Sequence, residues 1–124
     1  MSTKKILVVD DQEMIRKLVK MTLASENFEV LEARNGTEAL ETAQKEIPDL
    51  IILDVMMPGE LNGIEVCKQL REIPVTKESV ILMLSAKTQA VDKEEGMFAG
   101  ATDYLVKPFS PEYLLKMISE YLPQ

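Results

Sequence analysis

Asp10, Asp11, Asp54, Ser85 and Lys107 are the residues whose types, taken together, could do chemistry. Each closes or follows a short apolar run. Ile6-Leu7-Val8-Val9 precedes Asp10-Asp11, Leu50-Ile51-Ile52-Leu53 precedes Asp54, Val80 to Leu84 precedes Ser85, and Leu105-Val106 precedes Lys107. Gathered in one place, three carboxylates repel one another, and in a partly dry cleft at least one should take up a proton. A divalent cation removes that conflict, and an all-oxygen, carboxylate-rich set with room for water suits Mg²⁺. Lys107 offers a compact positive charge for a terminal phosphate, and Ser85 a hydroxyl able to donate to an anionic oxygen. In that setting Asp54 can attack phosphorus, because the metal and Lys107 neutralise the phosphoryl oxygens. Taken singly, each residue has an ordinary structural role of similar weight: Asp54 as a strand terminator or turn cap, Asp10 or Asp11 as a helix N-cap.

The elements that must bring these residues together follow from hydrophobic patterning. The runs 6–9, 50–53 and 80–84 show no alternation, which suits strands buried on both faces of a parallel sheet. Val30-Leu31-Glu32-Ala33 carries a charge, as an edge strand does, and Asp103-Tyr104-Leu105-Val106 forms a short fifth strand. Between them lie helical spacings. Met14, Ile15, Leu18, Val19, Thr22 and Leu23 share one face, with Arg16, Lys17 and Lys20 on the other. Ala39, Leu40 and Ala43 begin a second helix ending near Glu46, and Ile64, Val66, Cys67 and Leu70 mark a third, stopped by Pro74. Ala90 to Ala99 reads as a weak fourth helix containing Gly96, and a final helix starts at Pro111 after Ser110 as N-cap. The expected fold is α/β: a doubly wound parallel sheet of five strands with five helices and right-handed crossovers. All five strand ends then lie on one edge, where ligands bind in such sheets.

The 124 residues suit one domain, 1–124, with a single core. There are 14 Lys plus Arg against 21 Asp plus Glu, and the net charge of -7 argues against direct binding of nucleic acid. No histidine and a single cysteine, Cys67, exclude a zinc site or a Ser-His or Cys-His catalytic pair. Cys67, among Ile64, Val66 and Leu70, reads as a small buried hydrophobe. No apolar run approaches membrane-spanning length and the amino terminus lacks a signal-peptide pattern, so a cytoplasmic protein without a membrane partner is expected.

Val8-Val9-Asp10-Asp11, Asp54-Val55-Met56-Met57-Pro58, Ser85-Ala86 and Asp103-Tyr104-Leu105-Val106-Lys107-Pro108-Phe109 together resemble the response-regulator receiver domain of two-component signalling, over essentially the whole chain. The resemblance implies a flavodoxin-like sheet with strand order 2-1-3-4-5, and that Asp54 is the phosphoacceptor, supplied from a phosphohistidine on a histidine kinase or histidine phosphotransfer protein in a phosphorelay. It implies Mg²⁺ held by Asp10, Asp11 and Asp54 with the backbone carbonyl of Met56, and a catalytic pairing of Lys107 with the phosphoryl group. Ser85 and Tyr104 become the switch, the hydroxyl moving toward the phosphoryl group while the aromatic turns inward, and the Lys107–Pro108 peptide is cis. Such a domain is not a conventional enzyme: it catalyses its own phosphorylation and slow dephosphorylation, then presents a changed surface to a downstream protein. The chain reads as a single-domain regulator or as the receiver part of a longer one.

The sequence departs from the family pattern in one loop. Glu60-Leu61-Asn62 stand between Gly59 and Gly63, one residue more than is common, which bears on loop shape and partner contact. Met56 and Lys87 flank the expected phosphoryl position, and Met56 cannot hold a water by hydrogen bonding, so slow loss of phosphate is expected. Three other readings are weaker. An aspartyl-phosphate phosphatase characteristically places a second aspartate where Met56 stands. A flavin-binding module needs Ser, Thr and Gly donors where Asp10 and Asp11 would repel a phosphate. A phosphorylation-independent scaffold has no need for every reactive position to be filled. Without the resemblance, Tyr104 is an edge-strand aromatic packed on the last helix.

Overall fold

The three unalternated apolar runs occupy the middle of one parallel sheet. A computed structural model describes residues 3–57, 59, 61–86, 97 and 99–123. In chain order the elements are β1 (Lys4–Val9), α1 (Glu13–Leu23), β2 (Phe28–Ala33), α2 (Gly36–Glu46), β3 (Leu50–Asp54), α3 (Gly63–Glu72), β4 (Val80–Ala86), β5 (Asp103–Lys107) and α4 (Pro111–Tyr121). The strands pair in the order β2-β1-β3-β4-β5, every pair parallel. This is the expected flavodoxin-like order, with β2 and β5 at the edges. The expected helix over 90–99, with its Gly96, falls outside the described residues except at Met97 and Ala99; four helices are seen among those described.

Strand pleating divides the unalternated runs into two cores. Leu7, Val9, Ile51, Leu53, Ile81 and Met83 pack with Ala39 and Ala43 of α2 and Val66, Cys67 and Leu70 of α3. Ile6, Val8, Leu50, Ile52, Leu82 and Leu84 pack with Val19 and Leu23 of α1 and Leu114, Met117 and Ile118 of α4. Successive side chains leave a strand on opposite faces, so a central strand covered by helices on both sides has no place for a polar residue until it ends. Each fully buried Leu or Ile in these runs contributes roughly 1.5–3 kcal/mol of burial free energy.

Polar residues start the helices. Asn35 accepts from Glu38 N at 2.9 Å, Asn62 from Glu65 N at 3.0 Å and Ser110 from Tyr113 N at 3.1 Å. The exception is α1. Its N-cap is Gln12, which makes no side-chain capping bond, so the expectation that Asp10 or Asp11 fills that position is corrected. Asp10 instead accepts from Gln12 N at 2.9 Å through Oδ1, two residues ahead of the cap.

The β3–α3 loop is anchored at both ends. Met57 is buried in the α2/α3 core, and Leu61 lies so close to Gly36 at the start of α2 that a Cβ there would sit 2.7 Å from Leu61 Cβ. At the other end, Gly63 N donates to the Val55 carbonyl at 3.0 Å, bringing the first turn of α3 against the end of β3. A Cβ on Gly63 would lie 2.1 Å from the Asp54 carbonyl oxygen. That oxygen is backbone and no rotamer change can move it. Gly63→Ala is therefore expected to lower stability by about 3 kcal/mol, read as a reduced midpoint in urea denaturation, with α3 forced away from the end of β3.

Candidate functional site

The ends of β1, β3 and β5 carry Asp10, Asp54 and Lys107. In the ladder Val9 stands beside Leu53, Asp54 beside Leu84 and Ala86 beside Lys107, so Asp10 and Asp54 leave their strands at one level and Lys107 two positions further along. Alternation adds a second condition. Asp54 follows Leu50 and Ile52 in facing the α1/α4 side, and Lys107 shares that side with Leu105. The Lys107 ammonium reaches both acids, 3.0 Å from Asp10 Oδ2 and 3.3 Å from Asp54 Oδ1. Asp54 Oδ1 also accepts from Met56 N at 3.3 Å. Asp11 is exposed at the rim, and oxygens of Asp10, Asp11 and Asp54 all lie within 4.8 Å of one another.

Asp10 is 0% exposed and Asp54 4%. Burial pushes the Asp54 carboxyl up to about 6, and the neighbouring Asp10 charge adds to the rise, while Lys107 and the Met56 N–H oppose it. Burial alone would lower the Lys107 ammonium, but its hydrogen bond to Asp10 and the charges of Asp54 and Asp10 raise it. One ammonium thus stands among three carboxylates, leaving the cluster anionic when all are ionised. Three hard oxygen donors in an anionic cleft whose rim is open to water at Asp11 fit a small divalent cation, so the cluster could hold one.

The sequence-based candidates divide between the two faces of the sheet. Ser85, buried, lies within β4 and not beyond it, one residue past the partner of Asp54. By alternation it faces the α2/α3 side, with Met83. Tyr104 pairs with Met83 and packs against the same core, its hydroxyl buried. The reading of Tyr104 as an aromatic resting on the last helix is therefore corrected. On the other face, Tyr121 of α4 donates to Asp103 Oδ2 at 2.5 Å. Lys107–Pro108 is cis. Met56 is 59% exposed beside Asp54, and Cys67 is buried, its thiol pushed up to about 11 by burial. Lys87 lies outside the described residues.

Arg16 is what the sequence reading missed. Grouped there with the solvent-facing lysines of α1, it is only 8% exposed. Its Nη1 donates to the Asp10 backbone carbonyl at 2.7 Å and its Nε to Glu32 Oε1 at 3.1 Å. The available signal was Glu32: a carboxylate on the same face of β2 as Phe28 and Val30 points toward α1 and calls for a cation there.

No helix among the described residues is long and apolar enough to cross a membrane. Residues 6–119 match the family model described as response regulator receiver domain. The chain is 53% identical over 108 residues to the alkaline phosphatase synthesis transcriptional regulatory protein PhoP of Bacillus subtilis, covering 87% of this chain and 44% of that protein. It is 47% identical over 118 residues to the transcriptional regulatory protein ResD of the same organism, covering 95% and 48%. The chain thus spans about half the length of these curated relatives. Among solved structures it is similar to a putative response regulator from Chloroflexus aurantiacus, with a TM-score of 0.92, 37% identity and coverage of 99% and 100%. The chemotaxis protein CheY4 of Vibrio cholerae gives 0.90 and 44%, covering 97% and 99%. Three acids and a lysine at the ends of parallel strands, matched along 6–119, make this chain a member of the response-regulator receiver domain family.

Proposed function

We propose that the chain, as one receiver domain over 1–124, accepts a phosphoryl group on Asp54 and changes its surface for a protein partner. The observation that carries this reading is the pairing of buried Asp54 with Lys107 at 3.3 Å, beside a second buried acid, Asp10. The donor is a phosphohistidine on a histidine kinase or histidine phosphotransfer protein. An Asp54 carboxylate oxygen forms the new bond to phosphorus while the phosphorus–nitrogen bond breaks, and the electron pair leaves on the imidazole. Lys107 turns its ammonium from Asp54 to the incoming phosphoryl oxygens, so that an anion can approach an anion. Asp10, Asp11, Asp54 and the Met56 backbone carbonyl would hold Mg²⁺. Bound there, the cation supplies charge neutralisation for the phosphoryl oxygens. The chain's own catalysis is confined to making and slowly losing this acyl phosphate.

Ser85 and Tyr104 form the switch in this reading. They share the α2/α3 face on adjoining strands, so a shift of Ser85 toward a phosphoryl group on the neighbouring strand opens room on the side where Tyr104 packs. The downstream partner is a protein. With a net charge of -7 this chain is not itself a nucleic-acid binder, and its setting is the cytoplasm.

Incubation with acetyl phosphate and Mg²⁺ should label the wild type, and both Asp54→Asn and chelation by EDTA should abolish the label; labelling without metal or without Asp54 would overturn the reading. The phosphorylated form should be long-lived, because the Met56 thioether has no donor to orient a water. Met56→Asn is expected to shorten its lifetime several-fold, followed as loss of label after donor removal.

Metal-free stability should carry the sign of the Asp54 shift. A carboxyl raised from 3.8 to about 6 on folding stabilises fully below pH 3.8, and that contribution is lost as pH rises through 6. The loss amounts to at most about 3 kcal/mol. Asp54→Asn should therefore gain about 1–3 kcal/mol on the wild type between pH 4 and pH 8 in EDTA, measured by urea denaturation.

A further inference from the structure

We propose that Arg16 is a positioning residue for the acidic metal site, acting through the Asp10–Asp11 peptide; the inference rests on the reading of that cluster as a Mg²⁺ site. The Asp10 carbonyl and the Asp11 N–H belong to one planar peptide unit. Fixing that plane fixes the directions in which both carboxylates leave the chain. The two adjacent acids repel, and Asp11, being exposed, gains by turning away into water. Asp10 itself is held at its N–H by the Ala33 carbonyl at 3.2 Å, and at its carboxylate by Gln12 N and Lys107. Arg16 Nη1, at 2.7 Å from the Asp10 carbonyl, adds a restraint that acts on the shared plane.

A purely structural role explains less of what is seen. Tying α1 to β2 needs only a cation on Glu32, and Lys20 already provides one at 3.1 Å. Burying a guanidinium is costly unless it is paired and its donors are satisfied. The fork of Arg16 spends one donor on Glu32 and carries another inward to the loop that bears two of the three acids. Outer partners of metal ligands commonly change metal affinity by 10–100-fold when removed. The sign also separates positioning from simple charge. Deleting a positive group near a cation site should, by Coulomb attraction alone, tighten the binding of Mg²⁺; loss of positioning should weaken it.

The test is calorimetric titration of MgCl₂ into the full chain and its variants, with native far-UV circular dichroism required of each. Arg16→Met should weaken Mg²⁺ binding about 10-fold, and Arg16→Lys, which keeps the charge but loses the fork, should fall between it and the wild type. Glu32→Gln retains an acceptor for Arg16 Nε and leaves the Asp10 carbonyl bond in place, so its affinity should stay within about 3-fold of the wild type, a loss well short of a removed outer partner. Wild-type affinity or tighter binding in Arg16→Met overturns the proposal, as does an equal loss in Glu32→Gln, which would assign the effect to the tie between α1 and β2. Should Arg16→Met not fold, Arg16→Lys decides: several-fold weaker binding supports the proposal and unchanged binding overturns it. A wild type that binds no Mg²⁺ overturns the metal-site reading itself, whereas a binding wild type with an indifferent Arg16 overturns this inference alone.

Discussion

Crowding of like charge at the edge of the sheet is the constraint on which the rest of this structure depends. Three carboxylates with oxygens inside 4.8 Å of one another, two of them buried, are unfavourable unless cations answer them. Lys107 answers directly, by bridging Asp10 and Asp54. Arg16 secures the backbone of the same loop from behind. The apolar sheet makes the crowding possible, because strands buried on both faces leave polar groups only at their ends, and parallel strands put those ends on one edge. The raised Asp54 carboxyl is the residue of repulsion and desolvation that Lys107 does not cancel.

Pleating then separates two tasks. Asp54 and Lys107 lie toward α1 and α4, whereas Ser85 and Tyr104 lie toward α2 and α3. In the proposed function, a change at Asp54 reaches the opposite face by way of the adjoining strand: Asp54 pairs with Leu84, and Ser85 is the next residue along. The packed sheet between the faces resists deformation, so polar side chains at its rim are the parts free to rearrange. Gly63 serves the same economy of space, since only a residue without a Cβ lets α3 close on the Asp54 carbonyl.

Much of this was legible in the residues. Unalternated runs identified the buried strands, a charged short run identified β2 as an edge, and the polar residue after each run marked the candidate site. The start of the last helix at Ser110 was legible as local hydrogen-bonding chemistry, whereas the caps at Asn35 and Asn62, of the same kind, were not identified. Other features were not legible. Arg16 sits on a helix just ahead of the exposed Lys17 and Lys20, and nothing local distinguishes it from Lys17. Asp10 looked like a cap for α1, yet the cap is Gln12, since the Asp10 carboxylate is drawn by Lys107 from a residue 97 positions away.

The sequence by itself determined the alternation of elements, the burial of β1, β3 and β4, and the set of reactive groups placed at the strand ends, because each depends on short-range periodicity and side-chain type. The tertiary structure alone decided which cations pair with which acids, that Ser85 lies inside β4 with its side chain toward Tyr104's face, and that the lengthened loop rests Leu61 on Gly36. These depend on strand register and on how helices settle over the sheet, and both are set by contacts between residues far apart in the chain.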